Sequence, residues 1–149
     1  MNILAHFYLA GESIPLQIGN FIADFVRGKQ INQFDESIKD GIILHRAIDH
    51  FTDTHEIVKQ SKQRLFPTYR HYSAVIMDIV YDHFLARKFN EYHEVKLEIY
   101  TQKIYNNLAP HVKIFPPKAQ IVFENMSRYD WLSQYLSLIH ISEPTRLGM

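Results

Sequence analysis

Ile38, Ile42, His45, Asp49 and Thr52 fall at the i, i+4, i+7, i+11, i+14 positions of one helical stripe. The stripe begins apolar and turns into His and then Asp, one turn apart. That places an imidazole beside a carboxylate at the edge of a core. Burying an unpaired carboxylate there is costly, so it must meet an ion, a cation or hydrogen-bond donors. A divalent metal satisfies both groups at once. The plainer alternative is a hydrogen-bonded His–Asp pair that only fixes the helix.

Three more segments repeat the pattern. In the string GNFIADF, Asn20 and Asp24 lie four apart among Phe21, Ile22 and Phe25, which should keep Asp24 from bulk water. A surface carboxylate beside Arg27 is the alternative there. Val75, Ile79, Asp82 and Ala86 share a stripe, with Asp78 one turn before Asp82. Two carboxylates so spaced repel unless something positive sits between them or they turn outward to Arg87 and Lys88. His83 follows Asp82 but points about a third of a turn away. His6 shares a face with Ile3, Phe7 and Ala10, where a lone histidine is usually a satisfied core residue. Taken together, four segments bring His or Asp to apolar stripes, the way helical bundles assemble metal sites from inward side chains. With oxygen and imidazole donors and no cysteine, manganese, magnesium or iron suits the set better than a structural zinc ion. No HExxH, phosphate-binding loop, GxSxG or dinucleotide fingerprint appears.

The elements that must position these groups read as helices throughout. Helices are expected over 2–10, 16–27 (opened by Pro15 and stopped by Gly28), 35–55, 57–65 (ending before Pro67), 71–89, 91–108 and 118–136. No stretch alternates like a strand, so the fold class is all-α, a compact helical bundle. The 149 residues, 46% hydrophobic, suit a single domain, expected over 1–138. Sixteen basic residues balance sixteen acidic ones, which argues against a nucleic-acid partner. No apolar run is long enough for a membrane span, and no basic region precedes the apolar residues at the amino terminus. A cytoplasmic protein is expected; nothing in the sequence defines an oligomeric state. Ser137 to Arg146 reads like translated sequencing adapter, so 139–149, His140 included, is expected to be a non-native tail on a truncated chain.

From Ile57 to Met77 the chain carries Lys59, Lys62, Arg64, Arg70 and His71 and no acidic residue. In a neutral protein that is either an ordinary solvated surface or a docking face for an acidic partner.

The strings MNILAHFYLA, GNFIADFVRG, GIILHRAIDHFTDTH and MDIVYDHFLARKF, in that order and spacing, closely resemble the acyl carrier protein phosphodiesterase family, from Met1 to about Leu138. The resemblance implies an all-helical, HD-domain-like metal phosphohydrolase. Its activity would be removal of 4′-phosphopantetheine from holo-acyl carrier protein, with manganese or a similar divalent ion. The HD signature itself is altered, since no His-Asp dipeptide occurs: His45 stands with Asp49, and Asp82-His83 is reversed. On this reading the metal ligands come from His6, Asp24, His45, Asp49, Asp78 and Asp82. His83 or His50 would protonate the leaving serine oxygen, and Arg46 and Asn20 would contact the substrate. Lys59, Lys62, Arg64 and Arg70 would dock the acidic carrier protein. A phosphohydrolase acting on a nucleotide, and a non-catalytic helical binding module, are the competing readings.

Overall fold

Helix α1 (Ile3–Leu9) is too short to persist alone, and its amino end is closed from far along the chain. The computed structural model describes residues 2–137; the expected tail and the boundary at 138 lie outside them. Asn2 gives α1 no side-chain cap. The carboxylate of Asp82 accepts from Leu4 N–H at 2.9 Å and Ala5 N–H at 3.1 Å instead. These are two of the unpaired amides that every helix start presents.

Ser13 and Pro15 open α2 (Ile14–Ile22), where the Ser13 hydroxyl accepts from Leu16 N–H. The chain then tightens into a 3₁₀ turn, Ala23–Phe25, and a second one, Gly28–Gln33. α3 (Glu36–Thr54) packs closely on α2. Gly19 and Gly41 meet at their crossing. A Cβ on Gly41 would lie 2.7 Å from Leu16 O and 2.8 Å from Gly19 Cα, and one on Gly19 would run into the Ile38 carbonyl oxygen. Only hydrogen at both positions lets the two backbones touch. Gly41→Ala should therefore cost roughly 1–3 kcal/mol, read as a lowered urea midpoint.

α4 (Glu56–Tyr69) and α5 (Tyr72–Arg87) pack on each other, and α5 also packs on α1. α4 runs on past Pro67, where the sequence suggested a stop. Pro67 lies in its last turn on an exposed surface, so water can meet the carbonyl that loses its donor. The helix expected over 91–108 is two: α6 (Phe89–Tyr92) and α7 (Leu97–Leu108). His93 Nδ1 accepts from Val95 N–H at the break. The last one also divides, into α8 (Pro117–Arg128) and α9 (Trp131–Gln134), at Asp130, whose φ is +49°. Tyr105 holds that turn by donating its hydroxyl to Asp130 and accepting from Leu132 N–H.

The core gathers Leu4, Phe7, Ile22, Ile42, Ile104, Leu108, Phe123 and Leu132. Each large apolar side chain buried there contributes about 1.5–3 kcal/mol before entropy is counted. No strand occurs among the described residues, and none of their helices is long and apolar enough to cross a membrane.

Candidate metal centre

The glycine crossing brings Asn20 of α2 against His45 of α3, and α1 lays His6 over both. The two imidazole rings stack, with centroids 3.8 Å apart and planes 10° from parallel. Asn20 orients each of them. Its Nδ2 donates to Leu16 O, so its Oδ1 is turned to accept from His6 Nδ1–H at 3.0 Å. Its backbone oxygen accepts from His45 Nδ1–H at 2.8 Å. With both Nδ1 atoms engaged as donors, both Nε2 atoms are left to face carboxylates. His6 Nε2 lies 2.9 Å from Asp49 Oδ1, and His45 Nε2 lies 3.1 Å from Asp49 Oδ2 and 3.2 Å from Asp24 Oδ1.

The lone pair of a neutral Nε2 cannot rest against a carboxylate oxygen without a proton or a cation between them. Without metal, the proton serves. Burial alone would lower the His45 pKa, but its hydrogen bonds to Asp24 and Asp49 outweigh that and raise it to about 9. Burial works to raise Asp49, yet the hydrogen bonds from His45 and His6 hold it below the usual carboxylate range. The hydrogen bond from His45 also lowers Asp24, against the effect of burial.

The same donors suit a metal. Ligand atoms of His6, His45 and Asp49 all lie within 4.8 Å of one another. Ligands about 2.1 Å from an ion sit about 3 Å apart across a right angle, close to the observed N···O separations. A fixed Nδ1–H donor behind each Nε2 is the support that metal-bound histidines commonly have. The two imidazoles are 3% exposed, whereas Asp24 and Asp49 are 41% and 43% exposed, so the cluster opens to solvent on its acidic side. Asp24 reaches water although its neighbours are apolar, because the chain has left α2 for the 3₁₀ turn.

The remaining sequence candidates are placed as follows. Asp78 lines a small cavity of about 190 Å³ with Asp24, Asp49, Thr52, Asp53 and Lys62. Asp82 does not join it: it is fully buried under α1 as the cap described above. Burial pushes its pKa up to about 8, against the two backbone donors that hold it down. The positive group that Asp82 meets is thus a helix amino terminus. Replacing Asp82 by Ala would strand the Leu4 and Ala5 N–H groups and cost roughly 1–3 kcal/mol in a urea titration, Asp82→Asn less. His83 lies across α5 and donates from Nδ1 to Tyr135 O at 2.7 Å, on the side facing α9. Asn20, expected at the substrate, is buried and occupied by the two imidazoles. Arg46 and His50 are exposed on α3. Lys59, Arg64 and Arg70 are exposed on or beside α4, Arg70 with its guanidinium over Phe66. Lys62 turns inward to Asp53 Oδ1 at 3.1 Å. Sequence reasoning missed Gly19 and Gly41, whose only signal is a glycine within each helical pattern.

The molecule is thus an all-helical bundle in which two backed imidazoles converge on carboxylates, a group that could hold a metal ion. Residues 1–145 match the family described as acyl carrier protein phosphodiesterase. Proteins of that name from Serratia proteamaculans, Photorhabdus laumondii and Yersinia pestis are 32%, 33% and 33% identical to this chain. The aligned regions cover 91%, 96% and 96% of it and 69%, 73% and 75% of theirs. No solved structure matches. The chain belongs to the acyl carrier protein phosphodiesterase family.

Proposed function

We propose that this protein hydrolyses the phosphodiester between 4′-phosphopantetheine and a serine of holo-acyl carrier protein, releasing apo-carrier protein and 4′-phosphopantetheine. The observation that carries the reading is the convergence of His6 and His45 Nε2 on Asp49, in a chain of this family. His6, His45, Asp49 and Asp24 would hold the ion, with Asp78 on the rim of the same cavity. Manganese fits such nitrogen and oxygen donors, as do magnesium and iron. When bound, the ion supplies charge to a phosphoryl oxygen and acidity to water near neutral pH.

In the balanced reaction, water oxygen bonds to phosphorus, the bond from phosphorus to serine Oγ breaks, and Oγ leaves with a proton. Asn20 keeps both imidazoles in the tautomer that bares Nε2. Lys62 brings a positive charge to the cavity, where it meets a phosphate better than the solvent-side role its sequence position suggested. His50 stands one residue past Asp49 and is our candidate proton donor, since His83 is engaged by Tyr135. Arg46 is a candidate phosphate clamp. We place the fold with the HD-like phosphohydrolases and the protein in the cytoplasm with its substrate. The test is intact mass of holo-carrier protein after incubation with this protein and manganese. Loss of the phosphopantetheine group is expected; an unchanged mass, with a nucleotide cleaved in a parallel panel, overturns the reading.

The carrier protein would dock on α4. No residue of α4 is buried, and Ile57, Phe66 and Tyr69 are exposed beside Lys59 and Arg64. Exposed cations with exposed apolar side chains on the same helix complement an acidic helical protein. Lys59→Glu with Arg64→Glu should raise KM for holo-carrier protein about tenfold with kcat unchanged; an unaltered KM removes this docking site.

A further inference from the structure

Asp24 borders two cavities. One is the small acidic cavity facing Lys62 of α4; the other, of about 960 Å³, lies beyond the 3₁₀ turns, between them and the start of α8. The larger is in the size range of sites for small organic ligands, about 300–1,000 Å³. Phe34, Ile114 and Pro117 give it an apolar lining, and Ile114 is left 48% exposed. Gln33 supplies an amide, and Arg27 and Lys118 supply cations. A phosphodiester held beside Asp24 and Asp49 has two substituents, and two cavities meet at Asp24.

We infer that the larger cavity binds the phosphopantetheine arm, while the carrier protein lies on the α4 side. The inference rests on the proposed hydrolysis. The arm offers a gem-dimethyl group and methylenes to the apolar lining, and two amides that an amide side chain can pair. Its phosphate end lies toward Asp24, three residues before Arg27. The product of the reaction is thus a ligand of the enzyme, and this chain discriminates substrates partly through a surface that never touches the carrier protein.

The probe is free 4′-phosphopantetheine, titrated calorimetrically into the full chain without added metal and compared with 5′-AMP. Two exposed positions supply the variants: Gln33→Trp, which fills the cavity, and Arg27→Glu, which reverses a charge on its wall. Both are checked for an unchanged melting temperature. Saturable binding is expected, preferred over 5′-AMP and weakened at least tenfold by each variant. KM for holo-carrier protein should rise in parallel, and inhibition by apo-carrier protein should stay as it was. No binding, preference for 5′-AMP, or binding indifferent to both variants overturns the inference while leaving hydrolysis standing. If holo-carrier protein is not cleaved at all, the hydrolysis fails, and the titration still decides whether the cavity takes this ligand.

Discussion

Asp49→Asn is expected to lower manganese affinity at least about 100-fold and to abolish measurable release of 4′-phosphopantetheine, while the protein stays folded. Among the described residues Asp49 is the one carboxylate that meets both imidazoles, Oδ1 facing His6 and Oδ2 facing His45. Its amide analogue keeps the shape, loses the charge, and offers only one oxygen. Because the side chain is 43% exposed, the change opens no buried cavity. Equilibrium dialysis measures the metal loss, and circular dichroism checks the fold. A variant that binds manganese as the wild type does would remove Asp49 from the site. His45→Ala is a poorer test, since it also strips a partner from the Asn20 backbone in the core.

The metal-free protein should lose stability as pH rises from about 6.5 to 9. His45 ordinarily titrates near 6.5 and in the fold near 9, because Asp24 and Asp49 accept from it more strongly than burial disfavours its charge. A raised pKa means stabilisation that is complete below the unfolded value and gone above the folded one. On the order of 3 kcal/mol is at stake. Asp82, raised to about 8 by burial, pushes in the same direction between about pH 4 and 8. Asp49 has the opposite sign: its lowered pKa stabilises above pH 4, and that contribution fades in acid. The groups facing His45 are His6 on α1, Asp24 on the first 3₁₀ turn and Asp49 on α3 itself. Melting temperatures in EDTA should therefore peak between about pH 4 and 6.5 and fall toward pH 9. Manganese should restore them at pH 9, where a metal no longer competes with the His45 proton. A flat profile in EDTA from pH 6 to 9 would contradict this account.

Much of this centre was legible before any coordinates. The stripe Ile38–Ile42–His45–Asp49–Thr52 behaves as its spacing implies, buried at Ile38, Ile42 and His45 and emerging at Asp49. His6 was legible too, as a histidine on an apolar face. Periodicity cannot say what a carboxylate touches across 78 residues, so Asp82 looked like a ligand although it caps α1. Asn20 carried the same ambiguity, because an amide can meet either a substrate or a neighbouring ring. Lys62 was grouped with its exposed neighbours by composition, whereas helical phase turns it toward Asp53. The Gly19–Gly41 contact is a fact about two helices and has no trace in either alone. The helix breaks at His93 and Asp130 depend likewise on contacts from elsewhere in the chain, such as Tyr105 on Asp130. The activity was never in the periodicity; it came from the motifs shared with a family.

Anomalous diffraction at the manganese edge, from crystals of this protein grown with the metal, is the most direct check. The account predicts a strong peak bonded to Nε2 of both His6 and His45 and to the Asp49 carboxylate, with Asp24 adjoining. A peak bonded to other residues, or none there in protein that still cleaves holo-carrier protein, would contradict it.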